Sequence, residues 1–380
     1  MQFRKVLVLI DWYLPGYKAG GPIQSLANLV DQLKSDFNFS IITRDTDYQE
    51  QAPYANLVAD QWIDKDGVKI RYCSDNKLNY SNLKLELLAE VHDVVYLNSM
   101  FSFYFTFIPL WILKGRSHEV VLAPRGMLSK SALKIKPLRK RIYLFLCSIL
   151  GLFKGIRFQA TSEQEIKDIQ AVFGHGSKIH FAPNIPASVP EELNEELCVK
   201  ESGSVNLISV ARIAPEKNLL YALNVLKHVK ARVKFDIYGI VYSQQYWTTC
   251  EELIASMPEN ITVKEHGGVT RAELFPLLKK SHFLFLPSKG ENFGHIIIEC
   301  LSSGCPVIIS DQTPWRSLES SNVGYDIGLA EEDKFINAIE DCANIGQEEY
   351  DGKSASSIAY ADKYKEESGG VKLNKALFSS

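Results

Sequence analysis

The sequence predicts an α/β protein made of two doubly wound parallel sheets in tandem. Three observations predict it. Short β-branched runs alternate with helical stretches, the pattern of βα units that build a parallel sheet. The alternation stops at a polar, acid-rich segment, residues 188–204, and then restarts. The charge balance also reverses between the halves: residues 1–190 carry 23 Lys/Arg against 17 Asp/Glu, residues 191–380 carry 19 against 28. At 380 residues the chain suits two cores of ordinary size.

In the first half, strands are expected at 5–11, 39–45, 93–98, 119–124 and 156–161, with helices between them such as 22–34 and 79–91. In the second half, strands are expected at 205–211, 233–239, 260–267, 282–288 and 305–311, with helices near 216–229, 244–257, 270–280 and 294–304. The expected boundaries are 1–188 for the first domain, 189–204 for a linker and 205–352 for the second domain.

Composition excludes several classes. With 46% apolar and 23% charged residues the chain reads as soluble and globular. Its seven cysteines show no CxxC pair and no histidine at metal spacing, which suits reduced thiols in a cytosolic protein. The N-terminal apolar run is too short for a signal peptide. The apolar stretches 101–113 and 142–153 fall short of the roughly 20 residues of a membrane-spanning helix. Between Lys130 and Arg157, however, eight Lys/Arg accompany no acid. That basic, apolar segment is expected to lie on an anionic membrane surface. A net charge of −3, without basic residues interleaved with aromatics, argues against nucleic acid.

Ligands of open α/β sheets sit outside the carboxyl ends of the strands, and the unusual residues of this chain stand there. After strand 282–288 come Glu291, Asn292, Phe293 and Gly294, and then a helix that carries Glu299 in its second turn. A glycine at a helix start lets an anion approach free backbone N–H groups at the positive end of the dipole. Glu291 stands at the strand mouth for the reactive end of a ligand, and Glu299 can accept two hydrogen bonds from a ribose diol. The spacing alone is equally compatible with a dipole-complementing acid and a solvated helix glutamate. Arg212 and Lys217 flank the turn after strand 205–211 and make a cradle for a diphosphate. Gly20-Gly21 precede a helix led by Pro22 and can face phosphates, although the loop is not GxGxxG and gives a nicotinamide cofactor little support. Two DxD pairs, Asp45/Asp47 and Asp64/Asp66, read as loop and hairpin-turn residues rather than as a metal site.

Taken together, "GG" after the first strand, Arg212-x4-Lys217 and Glu291-x7-Glu299 within "ENFGHIIIECLSSGCPVIISD" resemble the retaining glycosyltransferases of family 4. "APRGML" (123–128) and "TSEQE" (161–165) look like a subgroup that builds bacterial surface polysaccharides. The resemblance implies a GT-B fold, two Rossmann-like domains facing across a cleft, with residues 353–380 returning as a helix to the first domain. It implies hexosyl transfer from a UDP- or GDP-sugar to a glycan or lipid-linked acceptor, and the basic, apolar segment 130–157 fits a polyprenyl-diphosphate-linked acceptor at the inner face of the plasma membrane. No cofactor is implied; the nucleotide sugar is the substrate. By the same resemblance Arg212 and Lys217 bind the donor diphosphate, Glu291 the sugar hydroxyls, the backbone around Phe293-Gly294 the sugar, and Glu299 the ribose. Asn98 stands where many relatives carry a histidine close to the donor sugar, so it can donate a hydrogen bond but cannot titrate near neutral pH. Arg125 is expected at the acceptor phosphate or the cleft. The alternatives are a sugar-nucleotide epimerase of the same fold and a non-catalytic nucleotide- or glycan-binding subunit.

Overall fold

The structure, a computed structural model, describes residues 3–189 and 198–379. It divides into two compact units, Met1–Ile185 with Ser368–Ser380, and Pro186–Glu367.

In the first unit the chain runs β1 (Arg4–Leu9), α1 (Gly21–Leu33), β2 (Phe37–Arg44), β3 (Trp62–Lys65), β4 (Val68–Cys73), α2 (Tyr80–Ala89) and β5 (Val94–Leu97). It continues through α3 (Ile108–Leu113), β6 (Glu119–Leu122), α4 (Lys130–Lys134), α5 (Pro137–Ile149), β7 (Arg157–Ala160), α6 (Glu163–Phe173) and β8 (Ile179–Phe181). Among the described residues the sheet order is β3-β4-β2-β1-β5-β6-β7-β8, parallel except for the β3/β4 hairpin. Asp64 accepts the Gly67 N–H in that hairpin's turn at 3.1 Å. β1 and β5 read VLVL and VVYL at near-complete burial, as central strands covered on both faces require.

The second unit runs β9 (Ser204–Val210), α7 (Leu219–Lys227), β10 (Arg232–Tyr238), α8 (Gln244–Ala255), β11 (Ile261–Glu265) and α9 (Arg271–Lys279). It ends with β12 (Phe283–Leu286), α10 (His295–Ser302), β13 (Val307–Ser310), β14 (Gly324–Ile327), α11 (Glu332–Asn344) and α12 (Gln347–Glu367). Among the described residues its order is β11-β10-β9-β12-β13-β14, all parallel. Strand order reverses between β1 and β5 in one sheet and between β9 and β12 in the other, which leaves a crevice at each switch point.

Half of the expected linker, residues 190–197, lies outside the described residues. The expected boundary at 353 does not appear: α12 runs through it and stays on the second unit. There Ser354, Ser357 and Ala361 are buried, Gly304 approaches so closely that a Cβ would meet Ser354 Oγ at 2.5 Å, and Tyr364 packs on Trp315 with ring centroids 4.7 Å apart. Only the following helix, α13 (Gly370–Ser379), belongs to the first unit. Its Phe378 enters an aromatic cluster with Phe37, Phe39 and Tyr96.

Candidate active site

In the second unit the loops after β9 and β12 are stitched together at the switch point. The first lies tight against the end of β10, where a Cβ at Gly239 would meet the Ala211 carbonyl at 1.8 Å, so no other residue fits there. Helix α7 starts later than the sequence suggests because Asn218 adopts a left-handed φ of 62° and donates from Nδ2 to the Pro287 carbonyl at 3.0 Å. That delay keeps Lys217 in the loop. A second tie runs from the Lys289 N–H to the Glu216 carbonyl, 2.9 Å. The third joins side chains: Lys217 Nζ donates to Glu291 Oε1 at 2.6 Å, with the two side chains 18% and 10% exposed. Arg212 stands beside them with its guanidinium over the Tyr242 ring, 4.8 Å from the centroid, and Glu216 Oε1 3.6 Å from Nη2.

Gly294 caps α10 with φ 74°, a conformation that strains any residue with a Cβ. The preceding residue is fixed from below, since Trp315 Nε1 donates to the Phe293 carbonyl at 2.6 Å and Phe293 itself is buried. Asn292 is exposed. Glu299 is only 6% exposed, and burial pushes its carboxyl up to about 7, against the opposing charge of Arg271. A helix glutamate meant for solvent would show neither property. Thus Arg212, Lys217, Glu291, Phe293, Gly294 and Glu299 lie on the loops and the helix at one switch point.

In the first unit Gly20 caps α1, and the loop before it is held by Asp47. Asp47 Oδ2 accepts the Tyr17 and Lys18 N–H groups at 2.9 and 3.3 Å, and Oδ1 accepts that of Tyr48 at 2.7 Å. Half of one DxD pair is therefore spent on positioning the glycine loop. Among the described residues no group of three or more His, Cys, Asp or Glu is placed to hold a metal ion. Sequence reasoning missed Asp11, which ends up across the switch point accepting from Ser102 Oγ at 2.8 Å. Burial raises its carboxyl above the ordinary range. The signal was an acid closing an otherwise apolar strand.

Asn98 follows β5, and Arg125 follows β6 with φ 54°. Arg125 Nε and Nη2 both donate to Asn98 Oδ1, at 3.1 and 2.7 Å, Nη1 donates to Asn184 Oδ1 at 2.8 Å, and Nη2 also donates to the Tyr96 hydroxyl at 2.8 Å. The guanidinium expected to face an acceptor phosphate thus directs four hydrogen bonds to its own fold. With Oδ1 occupied by Arg125, Asn98 Nδ2 is buried beside the Tyr96 hydroxyl and makes no hydrogen bond of ordinary geometry among the described residues. Glu165 explains why "PRGML" and "TSEQE" occur together. Its Oε1 accepts the Gly126 N–H at 2.6 Å, and its Oε2 accepts the Thr161 N–H and hydroxyl at 2.8 and 2.7 Å. Glu165→Ala is expected to cost about 3 kcal/mol, because three bonds to a buried carboxylate are lost together. Urea denaturation that shows less than about 1 kcal/mol would remove Glu165 from this role.

This geometry can be set beside known proteins. Residues 191–350 match the family model described as Glycosyl transferases group 1. That match spans the loops bearing Arg212, Lys217, Glu291 and Glu299. The search of curated proteins finds no match. Solved structures that resemble the whole chain include HepE of Anabaena in complex with UDP and glucose, with 14% identity, TM-score 0.69 and 98% of each chain covered. They also include WaaG, a glycosyltransferase involved in lipopolysaccharide biosynthesis, with 11% identity, TM-score 0.61, and 99% of this chain and 100% of that one covered. A third is the E. coli trehalose-6-phosphate structure bound with UDP-2-fluoro glucose, with 10% identity, TM-score 0.66, and 99% and 98% covered. The chain has their fold, GT-B.

Proposed function

We propose that the protein is a retaining glycosyltransferase that moves a hexosyl group from a nucleoside diphosphate sugar to a glycan or lipid-linked acceptor in surface-polysaccharide assembly. The observation that carries this reading is the Lys217–Glu291 pair at the β9/β12 switch point, beside the glycine-led start of α10. A cation and an anion held against each other in a crevice are what a ligand with a diphosphate and a hydroxylated ring can separate. The diphosphate takes Lys217 and Arg212, and the sugar hydroxyls take Glu291. The N–H groups at the start of α10 face the charge that develops on the leaving phosphate, and Glu299 accepts from the ribose diol. The bond from the anomeric carbon to phosphate breaks, the acceptor oxygen bonds to that carbon on the same face, and its proton leaves with the nucleoside diphosphate. That similar structures hold UDP, glucose or a UDP-sugar supports a donor of this class.

A thermal-shift panel of UDP- and GDP-sugars tests the donor, since a ligand at 100 times its Kd stabilises the native state by about 2.7 kcal/mol. Transfer with retained anomeric configuration, undiminished by EDTA, is the expected result. Conversion of a sugar nucleotide without acceptor, or no shift with any sugar nucleotide, would overturn the reading. Loss of activity on chelation, restored by manganese, would return the aspartate pairs to consideration.

A further inference from the structure

Helix α5 carries two apolar faces, and among the described residues only one is covered. At 100° per residue, Lys140, Tyr143, Leu144 and Cys147 fall on one side. Cys147 is buried, Tyr143 packs on Phe101 with centroids 5.4 Å apart, and Lys140 donates to the Ala132 carbonyl at 2.7 Å. On the other side lie Leu138, Ile142, Phe145, Leu146 and Ile149, each between 49% and 70% exposed. These five cover an arc of about 100°. The exposed Arg139 and Arg141 project from its two edges, one on each side. Exposed Lys130, Lys134 and Lys136 precede the helix, and Lys154 follows it. Lys154 and Lys178 border a pocket of about 470 Å³ lined by Phe158 and Phe173, at the same end of the helix as Ile149.

We propose that this face of α5 docks on an anionic membrane surface, with the helix in the interfacial plane, the five apolar side chains at the acyl boundary and the arginines at the level of the phosphates. Charge selects this occupant. From Lys130 to Arg157 the segment holds eight Lys/Arg and no acid, so a second copy of the same face would set cations against cations. A bilayer rich in acidic lipid meets both the apolar arc and its cationic edges. Among the described residues no helix is long and apolar enough to cross a membrane, so contact of this kind is superficial. The inference does not depend on glycosyl transfer, because partition onto vesicles is read without donor or acceptor.

Full-length protein is mixed with vesicles of phosphatidylglycerol and phosphatidylcholine, or of phosphatidylcholine alone, and sedimented. Binding to the acidic vesicles that weakens with salt is expected. Arg139→Gln and Arg141→Gln should each reduce it roughly fivefold, the equivalent of one surface cation, and Phe145→Ser with Ile149→Ser should abolish it. Lys140 is left out because its ammonium is committed inside the fold. Phe145→Trp keeps the surface intact and adds a probe to the five native tryptophans: its emission, read as the difference from wild type, should shift to the blue on acidic vesicles only. Unchanged partition of the serine variant, binding indifferent to lipid charge, or a tryptophan that stays at its aqueous emission would each overturn the proposal. So would a concentration-dependent dimer that Phe145→Ser dissociates while no vesicle binding is seen. Unchanged nucleoside diphosphate binding in these variants separates this outcome from a failure of the transferase reading.

Discussion

Glu291→Gln is expected to lower glycosyl transfer by about 100-fold or more while leaving affinity for free nucleoside diphosphate unchanged or tighter. The reason lies in the 2.6 Å contact between Glu291 Oε1 and Lys217 Nζ. Without a ligand the carboxylate neutralises the cation that a diphosphate needs, so removing the negative charge frees Lys217 for phosphate. For the sugar the effect is opposite, since a carboxylate that grips its hydroxyls more firmly in the transition state is gone. Lys217→Ala separates the two roles. It should weaken nucleoside diphosphate binding at least tenfold, the worth of a charge-assisted hydrogen bond, and Arg212→Ala should do so as well. Calorimetric titration with UDP and GDP, beside initial rates, reads both effects. A Glu291→Gln protein that loses nucleoside diphosphate affinity as steeply as Lys217→Ala would place Glu291 in the scaffold of the crevice instead.

Glu299→Gln should raise stability in alkaline solution and weaken the nucleotide. Burial lifts the Glu299 carboxyl from the ordinary 4.5 to about 7 in the folded protein. Between those values the folded chain keeps a proton that the unfolded chain has released. Stability therefore falls as pH rises through the window and levels off above it. At 1.36 kcal/mol per pKa unit the fall amounts to about 3 kcal/mol. Glutamine has no proton to lose, so urea midpoints of wild type and variant should diverge between pH 5 and 8, with the variant gaining. Parallel profiles would show that the carboxyl is not desolvated. Binding tests the assigned role: a ribose diol donates to the ionised form, so wild-type affinity should climb with pH through about 7 more steeply than that of the variant. Equal slopes would move the ribose elsewhere.

Particular residues show why the spacing of acids, cations and glycines points to the crevice at the β9/β12 switch point. The βα alternation was legible because periodicity is local: VLVL and VVYL announce strands buried on both faces wherever they occur. Edge strands β8 and β14 escaped notice, being three and four residues long with little apolar signal. The candidate site was half legible. Glycines at helix starts, a loop acid and paired cations after strands carry their chemistry in their identity and order. What order could not show was the Lys217–Glu291 contact, 74 residues apart in sequence, or the four bonds that tie Arg125 to Asn98, Asn184 and Tyr96. These depend on the β9-β12 and β5-β6 pairings, which bring distant loops together.

The two long apolar stretches mark the same division. By itself the sequence determined that 101–113 and 142–153 are apolar and too short to span a bilayer. It could not say which was covered. Tertiary structure buries Phe105, Ile108, Leu110, Ile112 and Leu113 in the core of the first unit, and leaves Ile142, Phe145, Leu146 and Ile149 of α5 open. Hydropathy is a property of the side chain, whereas burial depends on which neighbour the fold brings against it. Among the described residues α5 has a neighbour for one face and none for the other.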